Sequence, residues 1–337
     1  MKKSLVALAA LAVVGAASAQ SSVTIFGIVD ASYAHTSGGG VSRDGITNSG
    51  LSSSRLGFKG TEDLGGGMKA GFHLEGDLMN DVGAGRSAGG GLNFARKSYV
   101  SLTGGFGEIR IGREYSPTFW NTTIYDPFGT NGIGSSNAPG MVANVCAVRC
   151  DNSVSYLMSA GGVSVHAMYA FGEQASNVDS NVGDYMGIRV AYAAGPLDVG
   201  AAIGNAKGAT GPADVRSTNF GISYDLGMAK PMLQLGQEKN DATKVTNWLL
   251  GVTVPMGQGE IRAAYSHYDT KNSNADWSKI AVGYGYNLSK RTQLYGTLAK
   301  VSNSAGASKV VDNRGLAGSA ALDGSSSGYE FGVRHSF

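Results

Sequence analysis

Apart from a short run near its start, the 337-residue chain has no long apolar stretch; none reaches the ~20 residues a helix needs to cross a bilayer. Any membrane span it makes is therefore not helical. Proline is scarce, at 7 residues, and glycine follows no period of three, which excludes a collagen-like rod. Excess charge is missing too: the formal +2 includes Lys2 and Lys3 of a leader argued below to be removed, so the mature chain is close to neutral. Charge thus gives no support to a nucleic-acid partner. The only cysteines are Cys146 and Cys150, with no histidine nearby, which is too few ligands for a structural metal. No GxxxxGK[ST] phosphate loop occurs, and "GNAKGATG" has the composition of an ordinary loop.

What is abundant is glycine, 52 residues against an average usage of ~7%, together with 15 tyrosines. That combination fits a glycine-rich all-β protein. The start, "MKKSLVALAALAVVGAASA", has two lysines, an apolar run and a small-residue end, the order of a secretory signal cleaved after Ala19. A membrane anchor is the alternative, but the run is short for one. This reading makes residues 1–19 a leader and 20–337 one mature domain beginning at Gln20.

Through the mature chain apolar residues alternate with polar ones. Val23, Ile25, Val29 and Tyr33 share a face against Thr24, Asp30 and Ser32. Leu56 and Phe58 oppose Arg55 and Lys59, and after the LGGG turn Phe72 and Leu74 oppose His73, Glu75 and Asp77. Such alternation predicts half-buried strands, here joined as hairpins. Short turns alternate with long polar segments such as 36–53, 79–93, 115–150 and 302–327. Seven turns and eight loops join sixteen strands, and this asymmetry is that of an outer-membrane barrel, short-turned on one side and long-looped on the other. A membrane sheet must also close, because open edges in hydrocarbon leave backbone groups unsatisfied. The expected fold is an all-β, 16-stranded antiparallel transmembrane barrel.

The chain ends in "GYEFGVRHSF", with Tyr329, Phe331, Val333, His335 and Phe337 on one face up to the last residue. A final strand with a greasy outer face is expected to close against the first, with Phe337 in an aromatic girdle.

Several segments then become familiar as a set: "VTIFGIVDASY", "SRLGFKGTEDLGGGMKAGF", "GGFGEIRIGRE", "DNSVSY", "NLSKRTQLY" and "GVRHSF". In content and order the chain resembles the trimeric general-diffusion porins of Gram-negative outer membranes, above all their beta-proteobacterial branch. The resemblance implies a homotrimer of passive, water-filled channels for small ions and solutes. It also implies contact with outer-membrane lipid and lipopolysaccharide, and a terminal signal at Val333, His335 and Phe337 read by the outer-membrane insertion machinery. The third loop is expected to fold into the lumen over a row of arginines. By motif, Arg55, Arg96, Arg113 and Arg149 match that row, with Lys59 on the same charged face as Arg55. They could equally be ordinary inward residues of a polar lumen. Arg96 shares strand parity with Val100 and Leu102, so it is expected above the membrane band or at a bulge. Relatives carry Pro-Glu-Phe-Gly in the third loop, whereas this chain has Pro127-Phe128-Gly129 after Asp126, its only loop charge. Four arginines against Asp126, with Asp30 and Glu114 as possible offsets, predict an anion preference.

Cys146 and Cys150, an even pair in a secreted chain, read as a small disulfide ring around Arg149, with two free thiols as the alternative. No cofactor is expected. An enzyme would need a nucleophile, a base and an orienting partner, and "SHYD" at 266–269 is the nearest cluster, but neighbours on a strand point to opposite faces. A plugged structural or adhesive barrel is the other alternative to an open pore, and no plug segment is visible.

Overall fold

The period-two runs fold as strands. The computed structural model describes residues 22–86, 90–136, 140–175, 181–208, 214–271, 273, 275–304, 306–313, 316–317, 320 and 322–337. The expected leader, 1–19, and Gln20 lie outside the described residues.

The chain begins with β1 (Ser22–Gly38), which turns back into the short β2 (Val41–Asn48) before β3 (Arg55–Gly65) and β4 (Met68–Met79). After the two-residue β5 (Ala84–Gly85) come β6 (Lys97–Gly104), β7 (Gly107–Tyr115), β8 (Arg149–Ala160) and β9 (Val163–Ala170). The wall continues through β10 (Tyr185–Ala194), β11 (Leu197–Ala206), β12 (Val215–Tyr224), β13 (Lys230–Lys239) and β14 (Lys244–Met256). It is completed by β15 (Gly259–Lys271), β16 (Trp277–Asn287) and β17 (Thr292–Asn303). A small hairpin of β18 (Asp312–Asn313) and β19 (Leu316–Ala317) precedes the final β20 (Ser325–Ser336). One antiparallel sheet holds 18 of these strands, and without the short β2 and β5 it is the expected wall of sixteen.

Closure is made by the two ends of the chain. β20 pairs with β17 on one side and with β1 on the other, in register from Ile28↔Ser336 to Gly38↔Ser326. Phe337 adds a last rung, exchanging N–H···O bonds of 3.0 and 3.1 Å with Gly27. The sheet thereby has no free edge, the condition for a β-structure to sit in hydrocarbon. Val23, Ile25 and Val29 point outwards and are exposed, while Asp30 and Ser32, on the opposite parity, are buried inside. An exposed apolar band around a polar interior is the inverse of a soluble core, and lipid is what covers it.

Two long segments are more ordered than their composition suggests. Much of 36–53 is not loop: β1 runs on to Gly38 and β2 returns beside it, leaving residues 49–54 to turn inside. The third loop contains a helix, α1 (Pro117–Ile124), with Ser116 as N-cap accepting from the Phe119 N–H and proline at its start.

The closing rung leaves no room at Gly27. A Cβ there would stand 2.3 Å from the Phe337 ring and 2.8 Å from the Arg55 carbonyl oxygen. Gly27→Leu, like removal of Phe337, should lower the yield of barrel that resists SDS until heated, overpacking of this kind costing about 1–3 kcal/mol. Gly296→Ala, whose new Cβ would meet nothing closer than 3.6 Å, should refold like the wild type in the same gel assay.

Candidate functional site

A loop inside a barrel must find partners for its backbone, and the inward-facing side chains of the wall supply them. From α1, Asn121 donates to the Gly200 carbonyl and to Asn219 Oδ1, and Asn219 in turn donates to the Thr118 carbonyl. Arg189 donates to Asn121 Oδ1, and the Tyr125 hydroxyl donates to Asp198 at 2.6 Å. Further along, Glu330 accepts from the Ile133 N–H, Glu238 accepts from Gly140 and Val142, and Lys279 donates to the Ser135 carbonyl at 2.6 Å. Phe128, Ile133 and Val142 pack with Leu249, Tyr268, Trp277 and Val301 in the larger of two buried apolar clusters among the described residues. The loop is thus fixed to the wall from β9 onward, away from β3, β4 and β6.

What remains between the loop and β3, β4 and β6 is a cavity of about 550 Å³. Arg55, Arg96, Lys97, Arg149 and His73 line it on the wall side, with Glu75 as its only carboxylate among the described residues. The loop side presents Phe119, Trp120, Thr123, Gly129, Thr130 and Asn131, none of them charged. Arg96 is fully buried, its Nε 2.5 Å from Glu75 Oε1, its Nη1 2.9 Å from Asp77, and its Nη2 donating to the Tyr115 hydroxyl. Lys97 is paired with Glu114 at 3.0 Å, and Glu114 also takes Arg110 at 2.6 Å. Arg149 has no ion pair among the described residues; it donates to the Tyr115 hydroxyl and stacks 4.5 Å over the Tyr115 ring. Arg55 reaches only Glu75, at 3.5 Å, which Arg96 already holds more closely. Two cations with little local compensation, Arg55 and Arg149, therefore face a neutral loop.

The structure brings together Arg55, Arg96 and Arg149 of the expected row but not Arg113. On β7 Ile109, Ile111 and Arg113 share the outward parity while Arg110 and Glu114 face the lumen, so Arg113 lies on the outer side, where it pairs with Asp151 and donates to the Ala95 carbonyl. Asp126 does not face the arginines either. Its carboxylate accepts from the N–H groups of Phe128, Thr130 and Ser136, so it shapes the loop that carries it. Asp30 plays the same part for residues 49–54, accepting from Leu51 and Ser52 and from the Tyr295 hydroxyl. Lys59 lies in the lumen below Arg55, in a separate widening with Lys69, His73 and Glu108. Arg96 stands just before β6, at the wall's outer end.

Lys97, His73, Glu75 and Trp120 were not among the expected constriction residues. His73 and Glu75 could have been found, since they share the charged face of their strand with Asp77; Trp120 depends on the helix. Cys146 and Cys150 are joined in a disulfide that encloses Arg149 and ends the loop where β8 begins. "SHYD" is split by the pleat, with Ser266 buried in the lumen and His267 outside against Trp248.

The two faces of β7 and β8 make a direct test. Arg149→Gln should lower single-channel chloride conductance, whereas Arg113→Gln should leave it within about 10% of wild type in planar bilayers, because charge outside a low-dielectric constriction is screened.

Comparison with known proteins agrees with this geometry. A profile described as Gram-negative porin matches residues 5–306. The chain is 42% identical to Outer membrane porin protein 32 of Delftia acidovorans, with both sequences covered in full. It is 26% identical to a major outer membrane protein P.IB of Neisseria meningitidis serogroup B, over 94% of this chain and 98% of that one. Among solved structures, an anion-selective porin from Comamonas acidovorans superposes with a TM-score of 0.84 at 38% identity, covering 94% of this chain and all of the other. OmpT of Vibrio cholerae, at 16% identity and a TM-score of 0.68, shares the fold, covering 94% of this chain and 99% of its own. The closed barrel, the loop held inside it and these likenesses lead to one conclusion: the chain belongs to the Gram-negative porin family and is a channel of the outer membrane.

Proposed function

We propose that this porin passes small anions in preference to cations and performs no catalysis. The observation that carries the reading is the lining of the constriction: four Arg and Lys side chains against one carboxylate, and that carboxylate already tied to Arg96 and Arg55. Arginine suits the task because its charge does not titrate away and its planar fork can hand a carboxylate or phosphate from one donor to the next. The similar Comamonas acidovorans protein, described as anion-selective, supports the same preference. The expected Asp126 contributes little to the passage, since its oxygens are committed to the loop backbone.

The working unit is a homotrimer, as the family resemblance implies, and the terminal Phe337, His335 and Val333 serve as the signal for the insertion machinery. That role is compatible with the structure: the side chains of all three lie on the outer face of β20, where a receptor could reach them before closure.

Planar-bilayer recording tests both parts. The protein should insert in steps of three equal conductances, and in a KCl gradient the reversal potential should indicate chloride preference. The preference should flatten as the Debye length falls from ~10 Å at 0.1 M salt to ~3 Å at 1 M. Arg55→Gln with Arg149→Gln should move the reversal potential towards cations. Cation preference in the wild type would mean that lumen acids outweigh the arginine wall.

A further inference from the structure

The loop side of the constriction turns a large apolar side chain towards water. Along the eight residues of α1, Thr118, Phe119, Asn121 and Thr122 are buried towards the wall. Trp120 and Thr123, three residues apart, share the opposite face and line the cavity. The polar groups around them are already used. The Thr123 hydroxyl and the Asn131 amide both donate to the Gly129 carbonyl, and Asn131 Oδ1 accepts from Ser53. Trp120 remains 40% exposed, so what the loop offers a passing solute is chiefly the indole. Of the three tryptophans in the chain it alone is open to the passage, since Trp248 points outwards against His267 and Trp277 is buried against Tyr268.

One ring holds the indole in place and joins it to the cations. Trp120 stacks on Tyr115 with ring centroids 5.9 Å apart and planes inclined by 20°, and Phe119 packs on the same tyrosine at 4.9 Å. Arg149 lies 4.5 Å and Lys97 5.1 Å from the centroid of the Tyr115 ring. The Tyr115 hydroxyl accepts from both Arg96 and Arg149, which fixes the ring between them. One face of Trp120 is thus committed to Tyr115, and the other meets no ring among the described residues. Arg149 has donor capacity to spare, because its Nε is buried without a partner and buried donors are ordinarily satisfied. A flat apolar surface and an under-used guanidinium therefore adjoin the same tyrosine, with Arg55 lining the same cavity.

We infer that the constriction contains a subsite for aromatic carboxylates, with the carboxylate on Arg149 and Arg55 and the ring laid on the open face of Trp120. Trp120 is then a specificity-determining residue of the pore. The inference rests on the anion preference proposed above and names the class of organic anion that the passage favours. Chloride uses the cations alone. An aliphatic acid adds contact area, whereas an aromatic acid adds offset stacking on the indole as well, and its carboxylate takes charge-assisted bonds from the guanidinium groups. A cavity of about 550 Å³ is of the size that receives a small organic molecule. Because the site is open to water, the solute dwells briefly and leaves, as conduction requires.

The test sets benzoate against cyclohexanecarboxylate, two acids of equal charge and similar size that differ in aromaticity. Each is titrated against the chloride current of the full mature protein in planar bilayers, and the concentration that halves the current is read. Benzoate should reach that point at a concentration about threefold lower or less, the scale of one aromatic stacking contact. Trp120→Leu should bring the two acids together, Trp120→Phe should keep part of the difference, and Trp248→Leu, which removes the outward indole, should keep all of it. Arg149→Gln should weaken both acids alike. If the Trp120→Leu protein assembles poorly, crystals of the wild type soaked in 4-bromobenzoate give a second reading, with the bromine signal expected beside Trp120 and the carboxylate at Arg149. A KCl gradient across the same membranes reads the chloride preference separately. Equal block by the two acids, an undiminished difference in Trp120→Leu, or bromobenzoate found only away from Trp120 would each overturn the aromatic subsite while a persisting chloride preference left the anion channel standing. Cation preference in the gradient would overturn both.

Discussion

A backbone held inside a barrel cannot leave its N–H and C=O groups unpaired, and this constraint governs the lumen of the protein. Each buried group left without a partner costs about 1–3 kcal/mol. The third loop meets the requirement with acceptors and donors from the wall, Glu238, Glu330, Lys279 and Asn219 among them, and with its own Asp126. The inward turn at 49–54 does the same through Asp30. Acids that would otherwise line the passage are thereby used up in holding chain.

The charge of the passage follows from that arrangement. Because the loop is bonded to the wall from β9 onward, the open space falls against β3, β4 and β6, where the bases are. Glu75, Asp77 and Glu114 are paired with Arg96 and Lys97 from behind, and none of them forms an ion pair with Arg149 among the described residues. A chain near neutrality overall can therefore contain a constriction of one sign, since nearby charges in a narrow low-dielectric space outweigh distant ones.

The barrel was legible in the sequence because lipid outside and water inside impose opposite demands on successive residues, as at Val29 and Asp30 or Phe72 and His73. Closure was legible in the aromatic alternation up to Phe337. The site was legible only in part. Arg55 and Arg149 line the constriction, but Arg113 does not: it shares the parity of the outward Ile109 and Ile111, a signal that was present in the sequence and that motif matching passed over. Asp126 was read as a pore charge although an aspartate before proline and glycine is also a turn former. The helix had its signal in Ser116 and Pro117. The wall anchors Glu238 and Glu330 had no local signal, because their partners lie about a hundred or more residues away and are set only by the closed fold.

The central claim is that anions meet an excess of cations on one wall and a neutral loop on the other. Anomalous scattering from crystals equilibrated in bromide, and separately in rubidium, examines it directly. Bromide should appear beside Arg55 and Arg149, with no rubidium in the same cavity. Rubidium beside Glu75, with bromide absent from the arginines, would contradict the account.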